Sequence, residues 1–157
     1  MSTRGVYGFY KNGEHKMTYN HSDSYPECLG EDVVKFIRET SIEEMNKIFD
    51  KIILVDEDIP ATQEQIEECI EYASLNVASN KTSDWYCLLR KAQDNLFVYK
   101  EGLNYMVDNK KFLDDIWCEW KYIINLDSGV LEIYDDDTVA GTFDLKEIPT
   151  DWIKKLI

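Results

Sequence analysis

The sequence predicts an α+β fold: a single domain over residues 1–157, an antiparallel sheet built from hairpins near both ends, and helices packed on it. Three observations carry this reading. A β-prone run, Gly5 to Tyr10, meets Asn12-Gly13 and returns from His15 to Tyr19; Asn-Gly is the pair that favours a type I′ hairpin turn. An alternating run from Ile116 to Leu126 meets Asp127-Ser128-Gly129 and returns from Val130 to Tyr134. Between the hairpins, apolar residues recur at helical spacing behind residues that cap helices.

Taken in order, the first hairpin leads into Tyr19-Asn20-His21-Ser22-Asp23-Ser24-Tyr25-Pro26, a polar loop closed by Leu29-Gly30. Val33, Val34, Phe36 and Ile37 then form an apolar stripe, with Glu31 and Asp32 at the positive end of the helix dipole. Ser41 and Glu44 have capping-box spacing and open a helix carrying Ile42, Met45, Ile48 and Phe49. Ile52 to Val55 fits either a short strand or a buried helix end, and Asp56 to Pro60 an acidic turn. Thr62, with Gln65 three residues on, caps a helix that buries Ile66, Cys69, Ile70 and Ala73. A loop through Asn76, Ser79 and Asn80 follows, and Ser83 opens a helical segment with Trp85, Leu88 and Leu89 inward. Residues 94–113 stay open between helix and strand, Leu96-Phe97-Val98-Tyr99 in particular. In the long strand, Ile116, Cys118, Trp120, Tyr122 and Ile124 share one face, and Trp117, Glu119, Lys121, Ile123 and Asn125 the other. Thr138 to Leu145 adds a short strand, and Ile148 to Ile157 is partly helical.

A chain of 157 residues that is 44% hydrophobic buries a proper core and is no disordered acidic tail. No run approaches the roughly 18 apolar residues of a membrane span, and no signal-peptide pattern opens the chain. The expectation is a soluble, cytoplasmic protein, in the host cytoplasm if phage-encoded. The formal net charge is −14, from 31 acidic and 17 basic residues spread along the chain. That field disfavours direct contact with nucleic-acid phosphates, which need Lys and Arg to release counterions. It favours a protein partner with a basic surface.

Cys28, Cys69, Cys87 and Cys118 make no Cys-x-x-Cys pair and have no His at ligand spacing, so no zinc site is expected. The last three lie among apolar neighbours and read as small core residues. Asp135-Asp136-Asp137 lacks the alternating ligands and glycine of a calcium loop and reads as a solvated bend. Trp85, Trp117, Trp120 and Trp152 read as core or interface anchors. With no Gly-rich phosphate loop, Gly-x-Ser-x-Gly or His-Glu-x-x-His, no metal or cofactor is expected.

Chemistry concentrates in the loop after the first hairpin. Residues 20–25 supply an amide, an imidazole, a carboxylate, hydroxyls and a phenol on a loop held by a strand, which is how binding sites are often built. Arg4, Asn20, His21, Asp23 and Tyr25 are the candidate ligand-binding residues. The same Asn and Asp types also close turns on their own backbone. The reading adopted is mixed, with Asp23 and Ser24 structural and His21 and Tyr25 open to a ligand. An Asp23 carboxylate touching His21 would favour the charged imidazole, and Arg4 is a candidate partner for Asp23.

The chain begins Met1-Ser2-Thr3-Arg4, and removal of Met1 leaves Ser2 with its own α-amine as a general base. With a hairpin next and Asn20-His21-Ser22-Asp23 after it, this start resembles the choloylglycine and penicillin-V acylase type of N-terminal-nucleophile hydrolase. Those enzymes begin Cys-Thr, sometimes Cys-Thr-Arg, and carry an Arg-Asn-x-Asp loop after a hairpin. The resemblance covers about the first 26 residues of a chain about half the length of those enzymes. It implies Ser2 as nucleophile and Asp23 as the loop aspartate, with Asn20 where the family has its arginine. Separately, Ser-Thr-Arg-Gly, then Tyr-Asn-His-x-Asp-Ser-Tyr-Pro and Leu-Gly, then Trp120 to Asp127, resemble a group of small uncharacterised proteins of phages, bacteria and fungi. That resemblance spans most of the chain and implies no activity.

The leading expectation is a non-enzymatic acidic binding protein, a phage or mobile-element accessory factor that occupies the nucleic-acid-binding surface of a host protein. The alternatives are an amide hydrolase using Ser2, Asp23 and Asn20, and a small-nucleotide-binding module using Arg4, Asn20, His21 and Tyr25.

Overall fold

The computed structural model describes residues 3–115 and 118–157. Its first strands, β1 (Gly5–Lys11) and β2 (Glu14–Asn20), form the expected hairpin. Asn12 and Gly13 both take positive φ, 51° and 79°, the left-handed pair that a type I′ turn demands. Five helices follow in the middle of the chain: α1 (Glu31–Arg38), α2 (Ile42–Lys51), α3 (Gln63–Cys69), α4 (Trp85–Leu88) and α5 (Phe97–Glu101). Between them lie two short strands, β3 (Ile53–Val55) and β4 (Tyr105–Val107). The last third supplies β5 (Trp120–Asn125), β6 (Val130–Asp135) and β7 (Thr138–Asp144).

The main sheet has the order β2-β1-β5-β6-β7. It is α+β and mostly antiparallel, with one departure: β1 and β5, which join the two hairpins, run parallel, Gly5 beside Trp120 and Tyr10 beside Asn125. A parallel pair needs a crossover, and the whole helical middle of the chain provides it. β3 and β4 form a second, two-stranded parallel pair. The run at Ile52 to Val55 thus resolves as a strand, whereas Phe97 to Glu101 resolves as a helix.

Strand alternation divides the core. Tyr7, Phe9, Tyr122, Ile124, Leu131 and Ile133 face the helices and join Val33, Val34, Phe36, Met45 and Leu88 in the main core. Phe36 bridges the layers, its ring 6.1 Å from Phe9 and 5.5 Å from Phe97, edge to face in both pairs. On the opposite face Val6, Met17, Cys118 and Ile123 make a smaller cluster with Phe112 and Leu113 against it. The alternation of the long strand is as read from sequence over Trp120 to Asn125; Ile116 and Trp117 lie outside the described residues.

Caps fix the helix starts. Ser41 Oγ accepts from Glu44 N at 3.1 Å, and Thr62 with Gln65 forms a full capping box. The fourth helix opens one residue later than Ser83: Asp84 is the cap, its Oδ1 accepting from Tyr86 N at 3.1 Å. Asp has the same capping chemistry as Ser, so two adjacent capping residues competed and Asp84 won. The C-terminal segment is helical only over Trp152–Lys155. Trp152 is fully buried there and packs against Gly30, where an added Cβ would sit 2.8 Å from its ring.

Each sheet edge takes a bond from outside the sheet. Asn109 N donates to Met17 O, and Asn109 Oδ1 accepts from Tyr19 N at 3.1 Å, so one residue pairs the free side of β2 as a strand would. At the far edge Ile157 N donates to Ala140 O. Among the described residues no helix is long and apolar enough to cross a membrane.

Candidate functional site

The polar loop is partly scaffold. Asn20 and Ser24 are buried, and Asn20 Nδ2 donates to Ser22 O at 2.6 Å and to Ser24 Oγ at 3.0 Å. Tyr122 OH donates to Ser24 O at 2.8 Å, which ties the loop to the sheet. Asp23 is exposed at φ 54°, and its carbonyl accepts from Leu29 N. A left-handed Asp is tolerated at a turn. Tyr25 is 44% exposed.

His21 is half-buried, and its hydrogen-bond partners do not include Asp23. Its ring neighbours are Gln93, Arg90 and Ser22. Gln93 Oε1 accepts from His21 N at 3.3 Å, which fixes which end of the carboxamide faces the loop. The same oxygen lies 3.2 Å from His21 Nδ1, so Nδ1 carries the proton and Nε2 accepts from Arg90 Nη2 at 3.3 Å. His21 therefore clasps the loop to the turn of helix at Arg90–Ala92.

Gln93 also lines a cavity of about 320 Å³ at the β2 edge of the sheet. Six aromatic rings wall it: Tyr7, Tyr19, Trp85, Tyr86, Tyr99 and Phe112. Leu89, Ala92, Val107 and Cys118 fill the apolar gaps. Arg4, Thr18, Glu57, Gln93, Asn109 and Asp115 bring the polar groups. Because β1 and β2 side chains alternate, Tyr7 and Thr18 reach the cavity from the helix-covered face and Tyr19 from the other. The cavity thus wraps the strand edge that Asn109 covers.

Five groups of the wall, Tyr7, Tyr19, Glu57, Tyr99 and Cys118, are shifted toward their neutral forms. Burial raises the phenols of Tyr7 and Tyr99 well above the ordinary range. Burial also raises Tyr19, against the pull of the Arg4 guanidinium. The Cys118 thiol is pushed up to about 12 by burial, which suppresses the thiolate a nucleophile requires. Desolvation, then the Asp84 carboxylate, raises the Glu57 carboxyl. Such a wall is suited to holding a ligand by contact and hydrogen bonding.

Of the candidate ligand-binding residues, Arg4 alone lines this cavity. Among the described residues no ion pair joins Arg4 to Asp23. Asn20, His21, Asp23 and Tyr25 form the neighbouring loop, with His21 touching the cavity wall through Gln93. Ser2 lies outside the described residues. The four cysteines are free, with Cys28 exposed and the other three buried as expected. Among the described residues no group of His, Cys, Asp and Glu is placed to hold a metal ion. Asp135 to Asp137 form an exposed bend, where Asp137 pairs with the buried Lys121 at 3.1 Å.

The sequence reading missed Gln93, Tyr99, Asn109 and Phe112. All lie in or beside the stretch that periodicity left undecided, and nothing local marks them. Compared with protein-family models, curated proteins and solved structures, the chain matches none.

Proposed function

We propose that this protein is a small-ligand-binding module whose site is the aromatic cavity at the β2 edge. The observation that carries this is the wall itself: six aromatic side chains from separate parts of the chain enclose about 320 Å³ beside a few fixed polar groups. Aromatic faces offer large contact area to a planar body, and a few oriented polar groups supply specificity. The test is a thermal-shift screen of small aromatic compounds, followed by titration monitored through Trp85 fluorescence. A ligand of the folded state raises the melting temperature. Thr18→Phe, which fills the cavity from β2, is expected to remove the shift. A screen with no hit, or hits indifferent to Thr18→Phe, sinks this reading.

The −14 charge favours a second role, docking on a basic protein surface. Exposed carboxylates cluster at Asp56, Glu57 and Asp58, and along α3 at Glu64, Glu67 and Glu68. In this reading the chain is a phage or mobile-element accessory factor acting in the cytoplasm, a role motivated by the charge and by the phage members of the group its motifs resemble. Affinity for such a partner falls steeply with salt; affinity unchanged between low and high salt would remove it. The N-terminal-nucleophile reading has less support, because the Asn20 amide is spent on Ser22 and Ser24 while Asp23 is exposed.

A further inference from the structure

The donors and acceptors left over in the cavity define its ligand more closely, on the premise that the cavity is the binding site. Gln93 and Asn109 each carry one acceptor end and one donor end. Gln93 Oε1 is consumed by His21 N and Nδ1. Asn109 Oδ1 is consumed by Tyr19 N at 3.1 Å and the Thr18 hydroxyl at 3.4 Å. In both cases a backbone N–H fixes the oxygen, so neither amide is free to flip. The nitrogens, Gln93 Nε2 and Asn109 Nδ2, have no partner among the described residues, and neither is sealed from solvent. Asn109 is only 4% exposed and lines the cavity. Arg4 adds a guanidinium, which only donates.

The geometry points to a planar aromatic ligand that carries acceptor oxygens, with a carboxylate as the group received by Gln93, Asn109 and Arg4. The fold spends the acceptor end of both amides on itself and leaves the donor ends to the ligand. Phenol and threonine hydroxyls serve either way and set no preference. Glu57 and Asp115 oppose an anion, but Glu57 is exposed, where solvent and salt screen its charge. An organic cation is the contrary case, since aromatic faces and carboxylates both attract one.

The experiment compares naphthoate, naphthylmethylamine and naphthylmethanol by calorimetric titration, on the wild-type chain and on Gln93→Glu and Asn109→Asp. Both substitutions keep the oxygen that the backbone uses and replace the donors by a second acceptor. Naphthoate is expected to bind at least about tenfold more tightly than the amine. Each variant is expected to weaken naphthoate by about tenfold or more, with the melting temperature of the unliganded protein nearly unchanged for the half-buried Gln93→Glu and lowered for the buried Asn109→Asp. The amine binding as tightly as naphthoate, or naphthoate indifferent to both variants, overturns this inference and leaves the cavity a binding site. Binding of none of the three by the wild-type chain overturns the inference and counts against the cavity reading as well. A variant that melts early is judged against the other, since the two donors sit on separate segments.

Discussion

Lys16 is 7% exposed on the edge strand β2, and its ammonium donates to Phe49 O at 2.6 Å and Ile52 O at 2.8 Å. It also sits 4.3 Å from the centroid of the Phe49 ring. Phe49 lies in the last turn of α2 and Ile52 is the residue that caps its end, where the helix lacks internal partners and the dipole favours a cation. One side chain therefore joins the sheet edge to a helix end in a buried place. Lys16→Met should leave Ile52 O unpaired and Phe49 O with only its 3.3 Å bond from Ile52 N, and lower unfolding stability by about 1–3 kcal/mol in urea titration. Lys47→Met, which breaks the exposed pair with Glu43 on the same helix, should change it by less than about 0.5 kcal/mol. Equal costs for the two would show that the Lys16 bonds add nothing beyond surface charge. In the sequence Lys16 is one polar residue of an alternating strand. Its role depends on a helix more than thirty residues away, which alternation does not encode.

The elements themselves were legible where the chain spells them locally. Asn12-Gly13 dictated its turn, and Thr62 with Gln65 dictated a helix start, because the groups that satisfy the backbone lie within three residues of it. Thr62 N donates to Gln65 Oε1 at 2.9 Å, and Gln65 N to Thr62 Oγ1 at 3.2 Å. Thr62→Ala should cost about 1 kcal/mol and speed amide exchange in the first turn of α3 while leaving β1 protected. Unchanged exchange there would mean that packing of Cys69 alone holds the helix. Illegibility began where partners are distant. β3 and β4 are three residues each and exist because they pair with one another. Neither has enough length for a period to show. Leu96 to Tyr99 is a short apolar run whose local start signal, Asn95 Oδ1 accepting from Phe97 N at 3.1 Å, does not by itself choose between helix and turn, and tertiary packing decided for helix.

At the scale of the molecule, a net charge of −14 on one domain is a standing self-repulsion. Adding salt shortens the screening length from about 10 Å at 0.1 M to about 3 Å at 1 M. The melting temperature should therefore rise with sodium chloride over that range, as scanning calorimetry would record. A flat response would mean that local pairs such as Lys121 with Asp137 already balance the field. The candidate site is a whole-molecule feature for a similar reason. Its polar loop was visible as dense functional groups, but its rings run from Tyr7 to Phe112 and meet only when the sheet and helices close. The parallel seam between β1 and β5 also governs how the chain is made. Synthesis proceeds from the N-terminus, so the first hairpin leaves the ribosome with one side of β1 unmatched. Gly5 must wait for Trp120, and Tyr10 for Asn125, before that side is closed. Non-local pairing of this kind is slow, and an open strand edge invites association with other nascent chains. The hairpin spends the time of translating the entire helical middle in that exposed condition, which makes this seam the point where a chaperone would matter most.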